Sequence, residues 1–167
     1  MNQDIHSRRY LKKSIYGFFS GFIATLTFHQ FALWLLWGVK IAPFAPFNTT
    51  ATQPWGIPAV FSLALWGGVW GVLFAFVQSR FPRHGSYWVS AFFFGAIFPS
   101  LVALLVVLPM KGLPVGGGWH WPLLLTAFLI NGVWGTGTGL LYRYLFHMPE
   151  PGEHHGHPSQ CTPGMSC

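Results

Sequence analysis

Four long apolar stretches, separated by short polar segments, make up most of the chain. They cover residues 15–38, 56–78, 87–109 and 121–146, and none of them contains Asp, Glu or Lys. Each stretch is long enough to cross the hydrocarbon core of a bilayer. Because lipid offers no partner for backbone amides, such stretches must be helices. The pattern predicts an all-α membrane protein with four transmembrane helices.

The second half of the chain repeats the pattern of the first. Trp55-Gly56-Ile57-Pro58 and Gly68-Val69-Trp70-Gly71 are followed, 64 positions later (119 minus 55), by Trp119-His120-Trp121-Pro122 and Gly132-Val133-Trp134-Gly135. Phe18-Phe19-Ser20-Gly21 is followed, 74 positions later (92 minus 18), by Phe92-Phe93-Phe94-Gly95. These offsets predict two helical hairpins that are parallel repeats, related by a pseudo-two-fold axis along the membrane normal. Such repeats occur in transporters, and a duplicated hairpin also builds a stable bundle without any transport.

The predicted organisation has five segments. They are a basic cytoplasmic segment (1–14), a first hairpin (15–78), a cytoplasmic linker (79–86), a second hairpin (87–146) and a polar cytoplasmic tail (147–167).

Composition and charge support a membrane location. Hydrophobic residues make up 52% of the chain, and charged residues only 7%, whereas a soluble domain carries about 25% charged residues. Of the nine Lys and Arg residues, seven lie in the segments 1–14 and 79–86 or at Arg143, and two lie in the other connections. This positive-inside bias predicts that both termini are cytoplasmic. We therefore expect the net charge of +6 to reflect topology and contact with the lipid bilayer, and we expect no nucleic-acid partner.

Three polar side chains lie within the apolar stretches: His29 and Gln30 in the first, and Asn131 in the fourth. A buried amide or imidazole is costly without a hydrogen-bond partner, and such groups usually face the interior of a bundle. One interpretation is that the three side chains hydrogen-bond one another and fix the helix register. Alternatively, they line a path for a solute, or His29 binds a metal or haem or relays protons.

Small residues recur at four-residue spacing within the apolar stretches. The pairs are Gly17 with Gly21, Gly67 with Gly71, and Gly135 with Gly139. Such pairs let helix backbones approach closely in lipid. They predict packing within the bundle, with homo-oligomerisation as the alternative.

The tail is rich in side chains that bind soft or borderline metals. His154, His155, His157, Cys161 and Cys167 lie close together in sequence, and imidazole and thiolate groups suit copper, nickel or zinc. Their spacing matches no zinc module. The sequence therefore predicts no resident cofactor, and a copper, nickel or zinc site in the tail is an alternative hypothesis.

Several segments resemble those of small, uncharacterised bacterial four-helix inner-membrane proteins. The resemblance covers residues 15–146 and rests on Phe28-His29-Gln30, Ala42-Pro43-Phe44, Pro54-Trp55-Gly56-Ile57-Pro58, Trp66-Gly67-Gly68-Val69-Trp70-Gly71 and Asn131-Gly132-Val133-Trp134-Gly135. It implies a location in the bacterial inner membrane and implies no activity.

The function that these patterns favour is not enzymatic. The sequence contains no paired acids, no nucleophile elbow and no phosphate-binding glycine loop. We expect an accessory or assembly subunit of a larger membrane complex, with other membrane proteins or further copies of the chain as partners. The alternatives are a small transporter or channel for a metal ion or a neutral solute, and a haem- or quinone-binding membrane subunit.

Overall fold

The computed structural model describes residues 2–53, 55–82 and 85–146. Four of its helical stretches are long and apolar enough to cross a membrane, which confirms the predicted fold class. We call them span one to span four, and they comprise His6–Gly38, Ala59–Arg80, Gly85–Met110 and Trp121–Phe146.

Two of the spans are interrupted by a π-helical turn. Span one lies within α1 (Asn2–Ala24), which begins before it, a π turn (Thr25–His29) and α2 (Gln30–Gly38). Span three consists of α4 (Gly85–Val102), a π turn (Ala103–Val107) and α5 (Leu108–Met110). Span two consists of α3 (Ala59–Val77) followed by a 3-10 turn (Gln78–Arg80), and span four is the single helix α6 (Trp121–Phe146). The first connection contains a two-stranded antiparallel ladder of β1 (Ala51–Thr52) and β2 (Ile57–Pro58). The third contains a tight turn (Val115–Trp119) whose three glycines have positive φ.

The first helix begins much earlier than the apolar pattern indicates. It starts at Asn2, so residues 2–14 of the basic segment form a helical extension of the apolar part of span one. Arg8, Arg9 and Lys12 are exposed on this extension. Lysine and arginine are good helix formers, which explains why the helix continues beyond the apolar residues.

The four spans pack as two antiparallel hairpins. Span one packs along span two, span three packs along span four, and the two hairpins meet mainly where span one contacts span four. We call the end that holds residues 6–14, Gln78–Arg80 and Phe146 the basic end, and the opposite end the loop end. The largest core cluster joins the hairpins and comprises Ala24, Phe74, Tyr87, Ala91, Phe94 and Trp134.

Glycines allow the closest helix approach in each hairpin. A Cβ atom at Gly21 would lie 2.8 Å from the Cα atom of Gly71, and one at Gly95 would lie 2.9 Å from the Cα atom of Gly135. Gly95 follows Gly21 by 74 positions and Gly135 follows Gly71 by 64, the same offsets as in the sequence pattern. The close contact therefore recurs at matching positions, and the repeat relation between the hairpins stays a prediction.

The outer surface of the bundle is apolar. Large hydrophobic side chains are exposed on every span, among them Phe19, Phe31, Trp34, Trp66, Phe93, Phe98 and Leu140. Such a surface is suited to contact with lipid, as expected of a multi-pass membrane protein.

Candidate functional site

The π turn of span one is the most irregular part of the bundle. Thr25 Oγ1 donates a hydrogen bond to the carbonyl of Gly21 (2.8 Å), and Thr27 Oγ1 donates one to the carbonyl of Ile23 (2.8 Å). Hydroxyls that bond back to their own helix in this way often bend it, and π turns are frequent at functional sites. The turn ends at His29, and both His29 and the following Gln30 are buried.

At the loop end, Gln30 links span one to the segment that joins spans one and two. Its Oε1 accepts a hydrogen bond from the backbone amide of Phe47 (2.7 Å), and its Nε2 lies 3.4 Å from Nδ1 of His29. Phe47 has a positive φ of 52°, a left-handed conformation that is unfavourable for a phenylalanine. Gln30 therefore holds a strained backbone residue against the end of span one.

Asn131 lies on span four and bonds to span three. Its Nδ2 donates a hydrogen bond to Ser100 Oγ (3.0 Å), and Ser100 Oγ donates in turn to the carbonyl of Ala127 (2.9 Å). The structure therefore brings His29 and Gln30 together and gives Asn131 a different partner, within its own hairpin. Sequence reasoning missed Ser100, because a serine in an apolar helix can equally bond to its own backbone.

The carbonyl of Gly21 makes a polar contact between the hairpins. It accepts hydrogen bonds from Thr25 Oγ1 (2.8 Å) and from Nε1 of the buried Trp134 (3.0 Å). A buried indole N–H usually finds an acceptor. Trp134 belongs to the second Gly-Val-Trp-Gly segment, and its hydrogen bond ties span four to span one.

Trp134→Phe is expected to destabilise the bundle by about 1 kcal/mol, because it removes this hydrogen bond while keeping an aromatic ring. Equilibrium unfolding in mixed detergent micelles measures the loss. Trp70→Phe is the matched control, since Trp70 occupies the corresponding position in the first Gly-Val-Trp-Gly segment and its ring packs edge-on against Phe94 at 6.5 Å. Equal losses in the two variants would contradict the role of the indole N–H.

A shallow groove of about 590 Å³ lies beside the π turn on the outside of span one. It is lined by Leu26, Thr27, Phe28, Phe31, Trp34 and Phe47. The Thr27 hydroxyl donates to its own helix, and the rest of the lining is apolar. The groove therefore suits hydrocarbon better than a polar solute.

At the basic end, aromatic and polar side chains join spans two, three and four. The Arg143 guanidinium lies 4.7 Å from the ring centroid of Tyr87 and 5.8 Å from that of Trp88, within cation–π distance. Tyr87 OH donates a hydrogen bond to Gln78 Oε1 (3.2 Å). These contacts fasten the ends of the spans together.

Candidate metal ligands are clustered only in the tail sequence. His154, His155, His157, Cys161 and Cys167 lie outside the described residues, so a copper, nickel or zinc site there stays a prediction. Within residues 2–53, 55–82 and 85–146, no group of three or more His, Cys, Asp or Glu side chains is placed to hold a metal ion.

The chain matches no known protein family, and comparison with curated proteins and with solved structures finds no match. The resemblance to small bacterial four-helix inner-membrane proteins therefore stays a prediction, and a function must be argued from the contacts described above.

Proposed function

We propose that this chain is a non-catalytic integral membrane protein that serves as an accessory or assembly subunit of a larger membrane complex. The observation that carries the proposal is that three of its intramembrane polar side chains bond to other elements of the protein itself. Gln30 bonds to a connecting segment, Asn131 to span three and Trp134 to span one. Polar groups used in this way fix the positions of helices and leave the outer surface for contact with lipid or with partner helices.

The parallel-repeat architecture belongs to this proposal. Gly21 and Gly71 pack in the first hairpin as Gly95 and Gly135 pack in the second, which supports two copies of one hairpin. Such a duplicated bundle is rigid because its helices touch through their backbones. A rigid apolar bundle is suited to packing against another membrane protein.

The orientation and location that we propose follow from charge. Arg8, Arg9 and Lys12 are exposed at the basic end, and Arg143 lies at the last turn of α6. By the positive-inside rule this end faces the cytoplasm, with both termini on that side of a bacterial inner membrane.

A transport function is less well supported. It would need His29, Gln30 and Asn131 to face a common path, whereas Asn131 bonds to Ser100 and Gln30 bonds to Phe47. The accessory-subunit proposal accounts for these separate partners, because each bond fastens a different pair of elements.

Photo-crosslinking from exposed positions tests the proposal. A photoreactive phenylalanine analogue is placed in turn at Phe19, Trp66, Phe98 and Leu140, one exposed position on each span. We expect one or two neighbouring positions to crosslink to a single protein that also co-purifies in mild detergent at fixed stoichiometry. The remaining positions then serve as internal controls that contact only lipid. If all four positions give only lipid adducts and the chain purifies as a monomer, the proposal fails.

A further inference from the structure

Within residues 2–53, 55–82 and 85–146, three buried hydroxyl groups have no hydrogen-bond partner. They are Ser20 Oγ on span one, and Thr138 Oγ1 and Tyr142 OH on span four. The side chains of Ser20 and Thr138 are 0% exposed and that of Tyr142 is 2% exposed. Buried polar groups in folded proteins are almost always paired with protein or with ordered water, so three unpaired hydroxyls require an explanation.

The contacts between spans one and four define their register on either side of these hydroxyls. Towards the basic end, the ring of Tyr16 lies 6.0 Å from that of Phe146. Towards the loop end, Ala24 belongs to the same core cluster as Trp134, and the indole of Trp134 bonds to the carbonyl of Gly21. The two helices are therefore antiparallel and remain in contact across this interval.

The three hydroxyls lie in the middle of that interval. Ser20 follows Tyr16 by four residues and precedes Ala24 by four, so it lies on the same helix face. On span four, Trp134, Thr138, Tyr142 and Phe146 follow one another at four-residue spacing, so Thr138 and Tyr142 lie between the other two on the same helix face. The register therefore places Ser20 opposite Thr138 and Tyr142, where span one of the first hairpin contacts span four of the second.

The chemistry of this group of hydroxyls identifies its ligand. Each hydroxyl can donate one hydrogen bond, can accept hydrogen bonds as well, and carries no charge. The sequence of the four spans contains no carboxylate, and three neutral oxygens are too few for the six to eight ligands that a calcium ion takes. A buried water molecule needs two to four polar partners, and three hydroxyls supply that number.

We propose that Ser20, Thr138 and Tyr142 form a binding site for a buried water molecule that bridges spans one and four, and so joins the two hairpins. Spans one and four are then linked in two ways. The Trp134 indole bonds directly to span one nearer the loop end, and the water connects the two spans nearer the basic end.

Removal of single hydroxyls from the full chain tests the site. The variants are Ser20→Ala, Thr138→Val and Tyr142→Phe, alone and combined, and the measurement is the midpoint of unfolding in mixed detergent micelles. A bridging water makes every single variant less stable, because each loses a hydrogen bond. It also makes the loss in the triple variant smaller than the sum of the three single losses, because all three act through one molecule.

An infrared comparison in ordinary and ¹⁸O-labelled water detects the water itself. We expect an O–H stretching band of a buried water that shifts to lower frequency in the labelled solvent and is absent from the triple variant. Ser90→Ala, Thr136→Val and Tyr144→Phe are the matched controls, because Ser90 and Thr136 donate to their own helix and Tyr144 is exposed. They should retain the band.

Two results would overturn the proposal. If the hydroxyls are simply unpaired, their removal relieves a desolvation penalty, so the midpoints stay unchanged or rise. Strictly additive losses without an isotope-sensitive band would show three independent hydroxyls and no shared water.

Discussion

Gly71→Leu is expected to unfold the first hairpin under conditions in which the wild-type protein is fully folded. A Cβ atom at Gly71 would contact the carbonyl oxygen of Gly17 and lie 2.9 Å from the Cα atom of Gly21. Both contacts are with backbone, so no side chain can rotate away. Overpacking of a core usually costs about 1–3 kcal/mol, occasionally more, and we expect about 3 kcal/mol here because two helices must separate. The unfolding midpoint in mixed detergent micelles measures the loss.

Gly38→Leu is the control for this prediction. Gly38 is the last residue of α2, and a Cβ atom there would meet no heavy atom within 4 Å. Its replacement should change the free energy of unfolding by less than about 0.5 kcal/mol, as is usual for surface positions. Similar losses in Gly38→Leu and Gly71→Leu would mean that the close approach of spans one and two does not stabilise the bundle.

The same substitution in the second hairpin tests the internal repeat. A Cβ atom at Gly135 would contact the carbonyl oxygen of Ala91 and lie 3.0 Å from the Cα atom of Gly95. Equivalent hairpins should therefore lose similar stability in Gly135→Leu and Gly71→Leu. A large difference between the two variants would contradict the proposed equivalence.

The number of spans was predictable from the sequence because it follows from composition, and the spacing of the glycines indicated where helices could approach closely. An apolar stretch without charges has only one stable form in lipid, and small residues at four-residue spacing mark a close helix contact. Gly21 and Gly71 do lie at such a contact. The start of span one was less predictable, because the basic residues from Arg8 onward extend the helix without being apolar.

The partners of the polar side chains could not be predicted in the same way. The partner of Asn131 depends on the rotation of span four, and that rotation is set by packing over the whole helix. The π turns add a residue within a continuous apolar run, as at Ala103–Val107, and the apolar pattern does not show where they fall. The unpaired hydroxyls of Ser20 and Thr138 look in the sequence like any small polar residue in a helix.

Gln30→Met is expected to release the first connection at the loop end from span one. Methionine has a similar length but no strong acceptor, so the amide of Phe47 loses its 2.7 Å hydrogen bond to Gln30 Oε1. Loss of such a bond to a partly buried group costs about 1–3 kcal/mol, and the positive φ of Phe47 adds strain that the bond no longer offsets. Peptides that contain Phe47 should therefore exchange amide hydrogen for deuterium faster than in the wild-type protein.

His29→Leu separates the role of Gln30 from that of its neighbour. His29 Nδ1 lies 3.4 Å from Gln30 Nε2, which is long for a hydrogen bond. Nε2 is also not the atom that binds Phe47, because the amide of Phe47 donates to Oε1. If Gln30 holds the loop by itself, His29→Leu leaves the exchange rate at Phe47 close to the wild-type rate. Equal acceleration in both variants would mean that the imidazole and the amide hold the loop together as one unit. Unchanged exchange in Gln30→Met would mean that the loop is held by its apolar contacts alone.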